Sequence, residues 1–529
     1  MVPRYFHRRA RAGTLLRSMT LFAALMAFLV GGCTINPVTG DRELALISAA
    51  DELAIGSAQY APSRQMQGGD YMLDANLTAY VRGVGQRLAA VSDRDLPYEF
   101  SVLNSSVPNA WALPGGKIAV NRGLLLELGS EAELAAVLGH EIVHAAARHG
   151  ALAMQRGLLL QGALLATAIA ADRGNYSSLA VGAASVGAQL INQRNSRGAE
   201  LESDEYGMLY MSRAGYDPGA AVALQETFVR LSEQRSNTGW LAGLFASHPP
   251  SLERVARNRE TAAALPAGGE LGEARYTAAI AGIKTTAPAY KAFDDARAAL
   301  AEDRPAEARS LASQALDAVP AEPNFHALLG DVEFSQGRYE AAADRYRAAV
   351  SRNSNYFYFP LRLGITLQQL GDLTGAKDQL EASLELLPTA DAHYGLGRIA
   401  ERRGDMTAAI AHYRQAASAS SPSGLLAQDA VVRIDLPQNP AAYLQMRSGL
   451  DNNGQLQFEL ANPTRLDVAD IGVTVRYIDT SGQTQTVRRT LYGTLAANSR
   501  QQYQTGLVPA TGEQAYEILL ESAQVIPAD

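Results

Sequence analysis

A chain of 529 residues is too long for one hydrophobic core and points to several domains. It is 47% hydrophobic and 19% charged with no long low-complexity tract, which excludes a fibrous or disordered protein. A net charge of −8 argues against a general nucleic-acid binder.

The start of the chain reads as a targeting segment. Arg4, Arg8, Arg9, Arg11 and Arg17 precede an apolar run from Met19 to Val30, and Gly31 and Gly32 then lead into Cys33, the single cysteine. The run is shorter than the roughly 20 residues a spanning helix needs, so a signal peptide over 1–32 is expected. Val30-Gly31-Gly32-Cys33 resembles a bacterial lipobox, which implies a lipid on Cys33 and a mature chain that begins there. Thr34, where an aspartate would signal retention, extends that resemblance to the outer membrane. Loss of 1–32 removes five arginines and no acid, taking the net charge from −8 to −13. A lipidated Cys33 leaves no thiol, so any metal site must be built from His, Asp and Glu.

The next region, 33–270, is rich in Ala and Leu with helical periodicity and one strand-like zone. Tyr98, Phe100 and Val102 alternate with polar residues, as do Ile118 and Val120 beyond a Gly115-Gly116 turn. A strand there could hold a peptide by adding it to the sheet edge. Ser130 and Glu133 predict a capping box, and Gly150 predicts the helix stop. Within this helix His140 and His144 lie four residues apart, so both rings leave one face and can share a metal ion. Glu141, turned about 100° from His140, sits beside the metal and not on it, where a general base for water is needed. His149 is five residues past His144 and falls off that face, which assigns it a structural or surface role.

Two apolar stretches, Gly157–Ala171 and Leu179–Leu190, are separated by Asp172-Arg173-Gly174-Asn175. They are too short to span a membrane and suggest a helical hairpin acting as a lid. Glu200 and Asp204 are again four apart on a helix, so one can ligate while the other orients a histidine; a solvated acidic face fits the spacing equally well. His248 precedes Pro249 and reads as a loop residue.

From 287 to 420 a pattern repeats. Gly337, Tyr339, Ala342, Tyr346 and Ala349 recur as Gly371, Leu373, Ala376, Leu380 and Ser383, then as Gly404, Met406, Ala409, Tyr413 and Ala416, at offsets of 34 and 33. Asp303, Pro305, Ala308, Ala312 and Ala315 form an earlier copy. The period resembles the tetratricopeptide repeat and predicts an α-solenoid of stacked helix pairs with a concave binding face. His326, His393 and His412 fall in these repeats as packing or surface residues. Region 437–527 changes to short alternating runs, Leu456–Leu460, Ile471–Tyr477, Thr486–Leu491 and Tyr516–Leu520, and predicts an antiparallel β-sandwich.

Five stretches together resemble the M48 family of zinc metallopeptidases, in particular its periplasmic members with tetratricopeptide repeats, the BepA-like group. They are Ile35-Asn36-Pro37-Val38-Thr39-Gly40, Asn109-Ala110-Trp111-Ala112-Leu113-Pro114-Gly115-Gly116, His140 to His144, Ser196 to Asp204, and Ser247-His248-Pro249-Pro250-Ser251. The resemblance covers about residues 34–420. It implies a mainly α zincin-type protease domain with a small β-sheet. It further implies one Zn2+ per chain on His140, His144 and Glu200, Asp204 as orienter of a histidine ligand, and Glu141 as base. His248 would lie over the metal, as a fourth ligand that keeps the enzyme latent or as an oxyanion stabiliser; a surface loop is the plain alternative. Ser203 departs from the alanine usual before the aspartate. The expected function is a lipid-anchored periplasmic endopeptidase acting on unfolded or misassembled envelope polypeptides. Its repeats would recruit substrate or outer-membrane assembly machinery, with the membrane reached through the lipid and nucleic acid playing no part. The alternative is a chaperone or scaffold with a latent protease site.

Overall fold

The computed structural model describes residues 33–157, 195–234, 247–510 and 516–526. The expected signal peptide 1–32, and the expected lid hairpin from residue 158 onward, lie outside the described residues. Among the described residues no helix is long and apolar enough to cross a membrane. The chain divides into two compact units, one of Met1–Val332 with Ser351–Tyr356, the other of Glu333–Val350 with Phe357–Asp529.

The first unit opens with a two-stranded hairpin, β1 (Cys33–Ile35) and β2 (Arg42–Leu44), closed by a turn at Asn36. Helix α1 (Ala49–Met66) starts at a Ser48–Asp51 capping box, and α2 (Ala75–Ala89) is capped by Asp74. The predicted strand zone is a three-stranded sheet ordered β3 (Glu99–Leu103), β5 (Lys117–Asn121), β4 (Ala110–Leu113). Central β5 runs parallel to β3 and antiparallel to β4, so β4 is an edge. Gly115 and Gly116 both take positive φ, +76° and +80°, as a tight hairpin turn requires.

Helix α3 (Glu131–Ala146) follows, then α4 (Arg197–Arg213), α5 (Gly219–Gln234) and α6 (Leu252–Ala264). The first core joins Leu77, Val81 and Leu88 of α2 to Phe100 and Val120 of the sheet and to the apolar side of α3. Because α3 is covered on all sides, its residues from Leu134 to Ala146 are buried without a polar face. Helices α3 and α4 cross at Gly139 and Gly207, where a Cβ on Gly139 would stand 3.0 Å from the Gly207 carbonyl oxygen. That close approach brings α4 within side-chain reach of the two α3 histidines.

Two expectations for α3 need correction. Ser130 Oγ does accept from Glu133 N–H at 3.1 Å, but Glu133 reaches past the cap to Gly129 N–H at 2.7 Å, leaving half of the predicted box. The helix also ends at Ala146, earlier than Gly150, because Arg148 adopts φ +63°; residues 149–157 then form a new helix that includes Gly150.

The repeats fold as helix pairs. In the first unit α7 (Ala281–Ala301) packs on α8 (Pro305–Ala318), and α9 (Pro323–Ser335) begins there. Its Phe325, with Tyr290 of α7, enters the same core as α2 and α3, so the first repeat is built into the helices of the first domain. In the second unit lie most of α10 (Tyr339–Arg352), then α11 (Tyr358–Gln369), α12 (Leu373–Leu386), α13 (Ala390–Arg402), α14 (Met406–Ala416) and α15 (Pro422–Asp435). The periodic residues at 303, 337, 371 and 404 all have positive φ and end the preceding helix; glycine fills three of them and Asp303 the first. In α8, α12 and α14 the small and large residues that follow, such as Ala308 and Ala312, Ala376 and Leu380, and Ala409 and Tyr413, are buried, and these helices pack on α7, α11 and α13 respectively.

The C-terminal region has two three-stranded antiparallel sheets. One is ordered β10 (Ser499–Gln504), β7 (Leu456–Asn462), β6 (Gln445–Leu450), the other β11 (Tyr516–Val525), β8 (Val468–Ile478), β9 (Thr484–Leu491). Phe458 and Leu460 of the first share a core with Ile471 and Val473 of the second. Strands β6 and β10 carried no sequence signal, since both are polar edge strands with little burial.

Candidate metal centre

The centre is assembled from three separate segments. From α3, His140 and His144 turn their Nε2 atoms to within 3.0 Å of each other. From α4, Glu200 approaches both, with Oε2 3.5 Å from His140 Nε2 and Oε1 3.4 Å from His144 Nε2. The loop before α6 contributes His248, whose Nδ1 lies 3.1 Å from Glu200 Oε1 and 3.3 Å from His140 Nε2. One donor atom from each of these four residues falls within 4.8 Å of the others. The surface-loop alternative for His248 is therefore overturned: its ring is buried in the cluster.

This donor set fits zinc. Three imidazoles and one carboxylate are its ordinary nitrogen and oxygen ligands, and ring nitrogens this close to one another call for a shared proton or a cation between them. His140 also has its outer nitrogen fixed. Asp204 Oδ1 lies 2.9 Å from Nδ1, which directs Nε2 towards the cluster. Asp204 is in turn gripped by Arg254, through Nε to Oδ2 and Nη2 to Oδ1, both at 2.7 Å. Arg254 Nη1 also stands 3.0 Å from Glu200 Oε2. Arg254 was missed in the sequence because nothing marks a single arginine in the first turn of a helix as buried. Ser251, which caps α6, fixes the turn that aims it inward.

Burial penalises every charge here, and the partners decide which survive. His140 is lowered by burial, but the Asp204 and Glu200 carboxylates outweigh this and push it up to about 10. Burial drives His144 well below the ordinary histidine value. Burial would raise Glu200 and Asp204, yet His248 and His140 hold Glu200 well down, and Arg254 does the same for Asp204. Glu141 goes the other way: burial raises it, leaving a carboxylate readier to take a proton. Its Oε1 lies 3.5 Å from His248 Nε2.

Beside Glu141 opens a pocket walled by Val137, Met208, Met211, Leu224 and Phe228. Ala110 of edge strand β4 also lines it, which places that edge next to Glu141. His149 is not part of the donor cluster, but it is buried and is no surface residue: its Nδ1 lies 2.9 Å from His144 Nδ1. The expectation that it lies off the ligand face and is structural therefore holds, and the break in the helix before it is what brings it against His144. His326 Nε2 donates to the Pro320 carbonyl oxygen at 3.0 Å, while His393 and His412 face each other through their Nδ1 atoms at 3.2 Å in the repeats.

Residues 75–262 match the model of peptidase family M48, and residues 293–356 and 361–424 match that of the tetratricopeptide repeat. Over 263 residues the chain is 30% identical to the beta-barrel assembly-enhancing protease of Yersinia pestis, covering 46% of this chain and 52% of that protein. Over 197 residues it is 36% identical to the mitochondrial metalloendopeptidase OMA1 of Schizosaccharomyces pombe, covering 36% and 56%. Over 254 residues it is 29% identical to metalloprotease YcaL of Escherichia coli (strain K12), covering 46% and 96%. The chain thus spans about half the length of the first two relatives.

Proposed function

We propose that this chain, a peptidase family M48 domain followed by tetratricopeptide repeats, is a zinc metalloendopeptidase. One observation carries the reading: His140, His144, Glu200 and His248 converge from three segments beside a buried Glu141. His140, His144 and Glu200 would hold the ion. When bound, zinc polarises the scissile carbonyl and acidifies a water molecule. Glu141 takes the proton of the attacking water and passes it to the leaving amine, a task its raised proton affinity suits. Asp204, held by Arg254, keeps His140 in the tautomer that presents Nε2. Edge strand β4 lies where an extended substrate could add to the sheet, and the adjacent cavity would accept an apolar side chain.

Unfolded or misassembled envelope polypeptides would suit a site beside an open sheet edge, and the Yersinia relative, a beta-barrel assembly-enhancing protease by name, supports that substrate class. The repeats would recruit substrate or outer-membrane assembly machinery, and the lipobox-like sequence would anchor the mature chain at Cys33 in the periplasm. The common core of the two C-terminal sheets supports a β-sandwich.

The test is digestion of an unfolded model protein by the zinc-loaded chain and by its Glu141→Gln variant. Cleavage is expected from the first and at least a hundredfold less from the second, the scale of losing general-base catalysis. Equal cleavage by both would remove Glu141 from the mechanism. The position of His248 favours a second reading, a latent site in which it occupies a ligand position and the repeats do the main work. On that reading His248→Leu raises cleavage; a fall would assign His248 to stabilising the reaction.

A further inference from the structure

We propose that His149 is a positioning residue for the metal centre: it holds the outer nitrogen of His144 and ties it, through Glu202, to Asn36 of the N-terminal hairpin. The inference rests on His144 being a zinc ligand, as proposed above.

The geometry begins with the break after α3. Arg148 sits at φ +63°, a conformation that disfavours residues with a side chain, so surrounding contacts must hold it. They do so through buried groups: Arg148 Nε donates to Glu52 Oε2 at 2.9 Å and Nη2 to the Ile47 carbonyl at 2.6 Å. Glu52 is fully buried and also receives Arg94 Nη1 and Nη2 at 3.0 and 2.9 Å. An uninterrupted helix would swing residue 149 away from the ligand face. The break instead stands the His149 ring edge-on to His144, with centroids 5.0 Å apart.

The surrounding groups fix which nitrogen carries which proton. To bind a metal through Nε2, His144 must keep its proton on Nδ1 and donate it. The group 2.9 Å from that nitrogen is His149 Nδ1, which must then be the acceptor. The Ser203 hydroxyl, 3.5 Å away, can share that same acceptor as a weaker second donor. His149 therefore carries its proton on Nε2, and Nε2 faces Glu202 Oε1 at 3.4 Å. Glu202 Oε1 also receives Asn36 Nδ2 at 3.3 Å. Asn36 cannot turn its amide over, because its Oδ1 already accepts Val38 N–H at 2.9 Å and Thr39 N–H at 3.3 Å. Every link from Asn36 to His144 thus runs donor to acceptor without conflict. Asp204 serves His140 in the same way with a carboxylate; His144 is served by an imidazole backed by one.

The test measures zinc affinity by chelator competition, together with the visible spectrum of the Co2+-substituted protein. His149→Phe keeps the ring and removes both nitrogens, and it should weaken zinc binding about 10–100-fold and shift the cobalt bands. His149→Asn, whose side-chain oxygen can take the place of the accepting nitrogen, should recover most of the affinity. If His149→Phe does not fold, Glu202→Leu carries the test, with a smaller loss in the same direction. Wild-type affinity and spectrum in every folded variant would overturn the positioning role. Failure of the wild-type chain to bind one zinc, or equal binding by His144→Ala, would overturn the metal site itself and this role with it.

Discussion

Arg254 carries a positive charge into a pocket that already holds two carboxylates, Glu200 and Asp204. Burying three such groups is tolerable only because each is paired. The same balance sets how a metal enters. His140 holds its proton up to about 10 through its carboxylate partners, and a metal at Nε2 must displace a proton from the cluster. Zinc affinity should therefore fall as pH drops below about 10, by about tenfold per unit for each proton displaced. For the metal-free chain the sign is opposite. A raised histidine contributes stability below its unfolded value near 6.5, and that contribution fades as pH climbs towards about 10. Isothermal titration with zinc across pH, and melting of the metal-free chain over the same range, measure the two effects. A flat affinity profile would contradict the proton competition.

At the scale of elements, the centre depends on how closely α3 and α4 approach. A Cβ on Gly207 would stand 3.0 Å from the His140 backbone nitrogen, so even one carbon presses on the ligand helix. Gly207→Val should push the helices apart, cost about 1–3 kcal/mol through overpacking and weaken zinc binding as Glu200 withdraws. Gly198, on the same helix with open space around it, is the control and should tolerate alanine. A Gly207→Val chain with unchanged melting temperature and zinc affinity would show that the crossing does not set the site. The repeats obey a different rule. There a left-handed residue ends each first helix, and within each unit the small residues after it let α8, α12 and α14 close on α7, α11 and α13.

For the first unit as a whole, helices α2 and α3 and the first repeat share one core, stitched by a buried polar network. Arg122 is almost fully buried, lies 3.5 Å over the Tyr290 ring of α7, and bonds Asn104 and Ser106 beside the sheet. Glu322, just before α9, accepts from Asn104 Nδ2 at 3.1 Å and from the Tyr290 hydroxyl. Glu322→Ala removes that carboxylate and strands its donors, which should cost about 2–4 kcal/mol. Because the network reaches the loop leading into β4, cleavage should fall as well, although Glu322 lies in the repeats. Thermal melting together with a cleavage assay checks this; a lower melting temperature with full activity would separate the repeat from the site.

Local spacing was enough for much of this protein. Four-residue spacing on one helix put His140 and His144 on a shared face, and a period of 34 residues marked the repeats, because both are properties of neighbours along the chain. Alternation marked four of the six C-terminal strands; the two it missed are exposed edges, where burial imposes no pattern. What spacing could not supply is whatever depends on segments far apart in sequence. The third and fourth members of the cluster come from 56 and 104 residues beyond His144, and Arg254 and His149 owe their roles to a helix cap and a helix break. Glycine contact between α3 and α4, and the buried charges that settle around it, decided which acids and histidines met. Only the packed chain brings those groups within hydrogen-bond reach, and only there does burial make each of them choose a partner.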